Sequence, residues 1–338
     1  MMHFKKTLTV LVGLLTAGSL FAAQLKVGLV ADYAGLNDRS FNQITYEGLV
    51  QAEQELGIKG TAVVAKSGSD YLPNMVRFAR GGYDLVIGVG FLMTDAIKEA
   101  AQQYPDTKFL LIDMPIGGVP NLSTAIFASQ EISFLAGALA AMVDQDKSVN
   151  LPIRHNGVIS VVAGMQIPPV DIYMAGYFQG ARHINPNIKV LYGYTGTFGD
   201  PAVGKQFALT QHSKGSDIVY QLAGGTGLGV IQASKENNFL SIGADSDQAY
   251  LAPNNVLTST SKLCNVAVFQ TIKRMQAGEF QSGVVVYDLK SGGVDVSPAI
   301  KGVPASITNH LEQIKQDIIA GRIKVSMEIP EWAKAQNQ

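Results

Sequence analysis

Past residue 24 the chain alternates short apolar runs with longer amphipathic ones. Leu25–Val30 reads as a strand, and apolar positions three and four apart predict a helix over Ser40–Leu56. The alternation continues with strands at Thr61–Ala65, Leu85–Gly88 and Lys108–Ile112. Helices are predicted at Tyr71–Ala79 and Thr94–Gln103, with Thr94 as the N-cap of the second. The pattern then restarts. Strands are predicted at 156–162, 189–194, 217–221 and 239–243, and helices at 171–184, 202–214 and 227–236. After Val256–Ser261, a helix at Cys264–Ala277, a strand at Gly283–Tyr287 and a last helix near Thr308–Ala320 complete the chain. Short, continuously apolar strands separated by helices specify parallel sheets with helices on both faces.

Two such units in tandem predict an α/β protein of two Rossmann-like lobes. Residues 24–127 with about 260–290 are expected to build the N-terminal lobe, and 128–259 with about 291–338 the C-terminal lobe. The chain is expected to cross between them near Thr124–Ser129 and Val256–Ser261. Ligands of open α/β sheets bind beyond the carboxyl ends of the strands. Two facing lobes bring those ends to one cleft, the arrangement of a binding protein that closes about a hinge.

Composition narrows the class. Of 338 residues, 47% are hydrophobic and 16% charged, and the formal net charge is −1. Such a chain can build substantial cores and is not a disordered one. It has no basic excess for nucleic-acid phosphates. Lys5 and Lys6 precede an apolar run from Leu8 to Ala23, which predicts a secretory signal peptide over residues 1–23. The run is short for a membrane span, and cleavage is expected near Ala22 or Ala23. Cys264 is the single cysteine, so no internal disulfide forms and no cysteine ends the apolar run to carry a lipid. The expectation is a soluble, exported, periplasmic monomer.

Enzyme motifs do not emerge. Gly224-Gly-Thr-Gly-Leu-Gly229 follows a strand and opens a helix, but its glycines are not spaced as in the dinucleotide fingerprint. The sequence contains no Walker A motif and no Gly-x-Ser-x-Gly elbow. His3, His155, His183, His212 and His310 lack metal-ligand spacing. Cys264 reads as a core residue at a helix start, and Asp245 and Asp247 do not aim at one point without a metal. No catalytic residue, metal or cofactor is expected.

Polar and aromatic residues gather instead just past the strand ends. Asp32 follows the first strand, and its loop continues into Asn37-Asp-Arg-Ser-Phe-Asn-Gln43. Leu111-Ile-Asp113 ends another strand. Gly164-Met-Gln-Ile-Pro-Pro169 and Gly196-Thr-Phe-Gly-Asp200 follow strands of the second half. Then come Gly225-Thr-Gly-Leu-Gly-Val230, Asp245-Ser-Asp-Gln248 and Thr258-Ser-Thr-Ser-Lys262.

In this order, over essentially the whole chain after residue 24, these segments resemble the basic-membrane-protein family of ABC-transporter receptors, the purine nucleoside receptors. The resemblance implies a type I periplasmic-binding fold, capture of a purine nucleoside of the inosine, guanosine or adenosine class, and delivery to a membrane permease. It implies that Phe41 and Phe198 sandwich the purine from opposite lobes and that Asn42 and Asp113 bind base edges. Asp245 and Lys262 are implied to hold the ribose hydroxyls, with the Gly225 backbone nearby and Asp32 lining the same cleft. Phe91 and Met165 are further candidates, whereas Asp38, beside Arg39, reads as a helix cap or a lobe-stabilising ion pair. Gln166, the Pro168-Pro169 doublet and the missing lipid-attachment cysteine depart from the family's pattern. The chemistry suits these roles. Base–aromatic stacking contributes about 1–3 kcal/mol, a carboxylate can bridge adjacent ribose hydroxyls, and contacts to both lobes favour the closed state.

Other functions compete. A receptor for a free purine base or a sugar-like ligand fits the same fold, although a free base leaves Asp245 and Lys262 without hydroxyl partners. An exported nucleoside hydrolase needs a carboxylate metal cluster or an activated nucleophile, and neither is evident. A repressor's effector domain is at odds with the export signal and the lack of an N-terminal helix-turn-helix.

Overall fold

The computed structural model describes residues 24–335, and the predicted signal segment lies outside them. The chain first forms β1 (Lys26–Ala31), α1 (Phe41–Leu56), β2 (Lys59–Val64), α2 (Tyr71–Arg80), β3 (Leu85–Val89), α3 (Thr94–Gln103), β4 (Lys108–Ile112) and β5 (Leu122–Phe127). Then come α4 (Ser129–Gln145), β6 (Val158–Ala163), α5 (Pro168–Ile184), β7 (Lys189–Tyr194), α6 (Pro201–Ser213), β8 (Ile218–Leu222), α7 (Gly227–Asn237), β9 (Leu240–Asp245) and β10 (Val256–Lys262). The last elements are α8 (Cys264–Gln276), β11 (Gly283–Tyr287), β12 (Val294–Val296), α9 (Ala305–Ile319) and α10 (Glu331–Ala335).

These strands form two six-stranded sheets, ordered β11-β5-β4-β3-β1-β2 and β12-β10-β9-β8-β6-β7. All pairings are parallel except β10 with β12. Central strands β3 and β9 are buried along their whole length, and β3 accordingly reads as an unbroken apolar run. Helix α8 packs on α1 in the first lobe, and α4 packs along α5 in the second. The α4–α5 approach depends on glycine. A Cβ at Gly176 or Gly180 would stand 2.1 or 1.9 Å from the carbonyl oxygens of Gln130 and Phe134.

The chain passes from the first sheet to the second after Phe127, returns after Lys262, and crosses again between Tyr287 and Val294. Val256–Ser261 and most of Thr124–Ser129, read from sequence as crossings, are strands, and the crossings follow directly after them. Thr94 also differs from expectation. It is the first helical residue, with Met93 in the cap position, and its Oγ1 donates to the Phe91 carbonyl.

Candidate ligand-binding site

The carboxyl ends of the two sheets face each other across a cavity of about 680 Å³, including the part open to solvent. On the N-terminal side, the loop after β1 is organised by Asp38. Its carboxylate accepts hydrogen bonds from the backbone N–H groups of Ser40 (2.9 Å), Asn42 (2.9 Å) and Gln43 (3.0 Å), satisfying the open end of α1. This turn sets Phe41 and Asn42 on the cavity wall. Asn42 Nδ2 donates to Asp32 Oδ1 at 2.8 Å. Asn42 Oδ1 is left buried with no hydrogen-bond partner among the described residues. Burial raises the pKa of Asp32 above the usual carboxylate range and pushes that of Asp38 up to about 6.

Asp113 and Asp245 stand at the ends of β4 and β9, the same place in each sheet. Both hold left-handed backbone, φ 76° and 69°, a conformation costly for a residue with a side chain. Both face Lys262 at the end of β10. Its Nζ lies 2.6 Å from Asp113 Oδ2 and 3.4 Å from Asp245 Oδ1. The same ammonium sits 4.5 Å from the ring centroid of Phe41 and 5.3 Å from that of Tyr173. Lys262 is 3% exposed. Burial works against its charge, but Asp113 and Asp245 outweigh it and hold its pKa above the ordinary lysine value. Burial raises the Asp113 pKa, opposed by Lys262. Tyr173 Oη donates to Asp245 Oδ1 at 3.1 Å, and Ser40 Oγ to Asp245 Oδ2 at 2.7 Å.

The C-terminal side adds aromatic and aliphatic surface. Phe198, in the loop after β7, packs against backbone that must be glycine: a Cβ at Gly164 would stand 2.2 Å from its Cε1. Ile167, Pro169, Val170 and Leu222 line the cavity beside it.

Seven of the eight expected residues therefore line one cavity: Asp32, Phe41, Asn42, Asp113, Phe198, Asp245 and Lys262. Gly224 stands on its wall where Gly225 was expected. Gly225 lies behind, where a Cβ would stand 3.1 Å from the Phe198 carbonyl oxygen and 3.7 Å from Asp38 Cβ. Phe91 is on the wall, while Met165 Sδ meets Tyr33 Oη at 3.7 Å. Asp38 takes the helix-cap role and also lines the cavity. Tyr173 also lines the cavity, and the sequence does not single it out. Its signal was an aromatic residue in the second turn of a helix that follows a strand-end loop.

Among the described residues, four carboxylates and one ammonium line this cavity, so acceptors dominate. No group of three or more His, Cys, Asp or Glu among those residues is arranged to hold a metal ion. Cys264 is buried, and burial raises its thiol pKa away from the reactive range. No helix among the described residues is long and apolar enough to cross a membrane.

Comparison with known proteins follows the same lines. A family model described as ABC transporter substrate-binding protein PnrA-like matches residues 25–329. The chain is 35% identical over 323 residues to the ABC transporter nucleoside-binding protein BmpA of Lactococcus lactis subsp. cremoris, covering 89% of each. It is 32% identical over 315 residues to Basic membrane protein A of Borreliella burgdorferi, covering 91% of this chain and 89% of that one. An uncharacterised lipoprotein of Pyrococcus horikoshii is 36% identical over 282 residues, covering 80% of this chain and 68% of that one. Among solved structures, an ABC transporter solute-binding protein from Aeropyrum pernix matches with a TM-score of 0.83 at 28% identity, covering 93% of this chain and 98% of that one. Another, from Conexibacter woesei, matches with a TM-score of 0.68 at 20% identity over 90% and 100%, a likeness of fold alone. The two lobes have the type I periplasmic-binding fold of such solute-binding proteins.

Proposed function

We propose that the chain, which belongs to the PnrA-like family of ABC transporter substrate-binding proteins, captures a purine nucleoside in its interlobe cleft and delivers it to membrane permease subunits. The observation that carries this reading is one cavity combining Phe41 and Phe198, from opposite lobes, with the buried centre Asp113–Lys262–Asp245. A purine presents two apolar faces to such rings, each stack contributing about 1–3 kcal/mol. Ribose hydroxyls donate to Asp245 and accept from Lys262, which only donates. The unpartnered Asn42 Oδ1 suits an N–H of the base, because a buried acceptor without a donor is costly. Four carboxylates favour a neutral ligand rich in O–H and N–H groups over one carrying phosphate. The nucleoside-binding name of the Lactococcus lactis relative points the same way. A ligand touching both lobes binds the closed state better, and that difference in affinity drives closure.

Calorimetric titration with inosine, guanosine, adenosine, hypoxanthine and ribose tests the reading, alongside mass spectrometry of any co-purifying molecule. Nucleosides are expected to bind at least about tenfold more tightly than hypoxanthine. Hypoxanthine binding as tightly as inosine makes the protein a free-base receptor. Ribose binding alone makes it a sugar receptor, and release of base from nucleosides by the pure protein makes it a hydrolase.

A further inference from the structure

Two of the motifs that mark the strand ends also touch each other. Arg39 and Ser40 belong to the N-terminal lobe, Ser246 and Gln248 to the C-terminal one. The Arg39 carbonyl accepts hydrogen bonds from Ser246 Oγ at 2.9 Å and Gln248 Nε2 at 2.8 Å. Ser40 Oγ donates to Asp245 Oδ2 at 2.7 Å and lies 3.2 Å from the Ala244 carbonyl oxygen. Every one of these bonds crosses the cleft.

Both sides are held before they meet. Arg39 has left-handed backbone, φ 55°, and the Ser40 N–H is tied to Asp38. Opposite, Gln248 Oε1 accepts from Gln221 Nε2 (2.8 Å) and the Ala244 N–H (3.1 Å), which leaves its Nε2 pointing at Arg39. Ser40 and Gln248 are fully buried. Asp245 takes one hydrogen bond from Tyr173 of its own lobe and one from Ser40 of the other. Opening the cleft removes the second donor from Asp245 and strips Ser246 and Gln248 of their acceptor.

We propose that Ser40 is a positioning residue that reaches across the cleft to orient the ligand carboxylate Asp245, and that with the Arg39 carbonyl it latches the two lobes shut. Asp245 as a ligand group rests on the nucleoside reading above, whereas the latch does not. In consequence, the carboxylate is fully oriented only when the lobes are together, so closure and ligand capture reinforce one another.

Spin-label distances between cysteines placed at Gln102 on α3 and Gln206 on α6, both exposed, report lobe separation while Cys264 stays buried. They are measured for wild type, Ser40→Ala and Ser246→Ala, with and without inosine, and inosine release is timed by stopped flow. Ser246→Ala removes a single, partly exposed hydroxyl and keeps the test alive should Ser40→Ala fold poorly. Both variants are expected to move the distance distribution away from the closed separation. Ser40→Ala is expected to speed inosine release about tenfold, with association little changed. Variants that match wild type in distances and release rate overturn the latch and the role of Ser40. Should inosine fail to bind wild type while the variants still shift the distances, the nucleoside reading falls and the latch stands.

Discussion

In the N-terminal lobe the helix that opens onto the cleft, α1, starts under the carboxylate of Asp38. In the C-terminal lobe its counterpart α5, after the equivalent strand β6, starts with Pro168 and Pro169 and has no side-chain cap among the described residues. One loop brings Asp32, Asp38 and Asn42 to the cavity, the other Ile167, Pro169 and Val170. At the third strand from the β11 and β12 edges the lobes agree, with Asp113 and Asp245 in matching places and matching left-handed backbone. They part again beside these, where β5 ends in Phe127 and β10 in Lys262. The repeated sheet fixes where side chains can point into the cleft. A handful of strand-end residues then decide that the first of these loops lines the cavity with polar groups, the second with apolar surface, and that the ammonium shared by both aspartates comes from one side. Asp113 is therefore paired by a residue of the opposite lobe.

Removing Lys262 should break this comparison most severely. Lys262→Met leaves two buried carboxylates unpaired, and loss of one partner from a buried ion pair costs about 3–5 kcal/mol. Phe127→Leu, at the matching position, should cost about 1 kcal/mol, as near-isosteric apolar exchanges do. Urea denaturation of both variants measures the gap, and equal stabilities would show that the ammonium is not what distinguishes the lobes.

The acidic cap comes next. The pKa of Asp38 is pushed up from 3.8 to about 6, chiefly by burial, against the pull of three N–H bonds and with Asp245 adding to the rise. The folded protein thus binds this proton more tightly than the unfolded chain does. The stability it contributes is complete below about pH 4 and is lost as pH rises through about 6. Relative to Asp38→Asn, wild type should lose about 3 kcal/mol at most between pH 4 and pH 7. A difference that stays flat across this window would remove the acidic cap from the account.

The matched aspartates provide a sharper contrast. Asp245→Ala should weaken inosine binding by about ten- to a hundredfold and hypoxanthine binding far less, because its proposed partners are ribose hydroxyls. Asp113→Ala should weaken both ligands, since its expected partner is the base. Equal losses for inosine and hypoxanthine in Asp245→Ala would erase the division of labour between them.

How far the sequence reveals all this depends on burial. Strands covered on both faces read clearly because their apolar runs stop at Gly, Asp or Asn. Helix α4 does not, because it is buried on nearly all sides and has no polar stripe to give a helical period. Strand β5 carries buried Ser123 and Thr124 and reads as a connection, while β12 is three residues paired with β10 at the edge of its sheet. In the site, side chains just past strand ends are legible, because topology sends them to the cleft. Tyr173 is hidden within a helical apolar pattern. Gly225 misses the cavity wall by one residue, since a tight turn over Gly224–Thr226 turns it inward. The Arg39 carbonyl leaves no trace in sequence, because backbone oxygens are the same for every residue.

The two aromatic rings give the mildest and most discriminating comparison. Each rests on a glycine of its own lobe: a Cβ at Gly90 would stand 3.1 Å from Phe41 Cε1, and one at Gly164 would stand 2.2 Å from Phe198 Cε1. Phe41 also carries the Lys262 ammonium at 4.5 Å from its ring, a contact among the described residues that Phe198 is not seen to share. If both rings stack on a purine, Phe41→Ala and Phe198→Ala should each weaken inosine and hypoxanthine about tenfold, because stacking does not involve the sugar. Phe41→Ala should in addition lower stability, by about 0.5–2 kcal/mol, through loss of its buried cation–π contact. Phe198→Ala lacks that term. Calorimetry with both ligands, paired with thermal unfolding of the free proteins, separates the two effects. A Phe198→Ala variant with unchanged affinity for both ligands would leave the C-terminal lobe without a stacking partner and put the base against Phe41 alone.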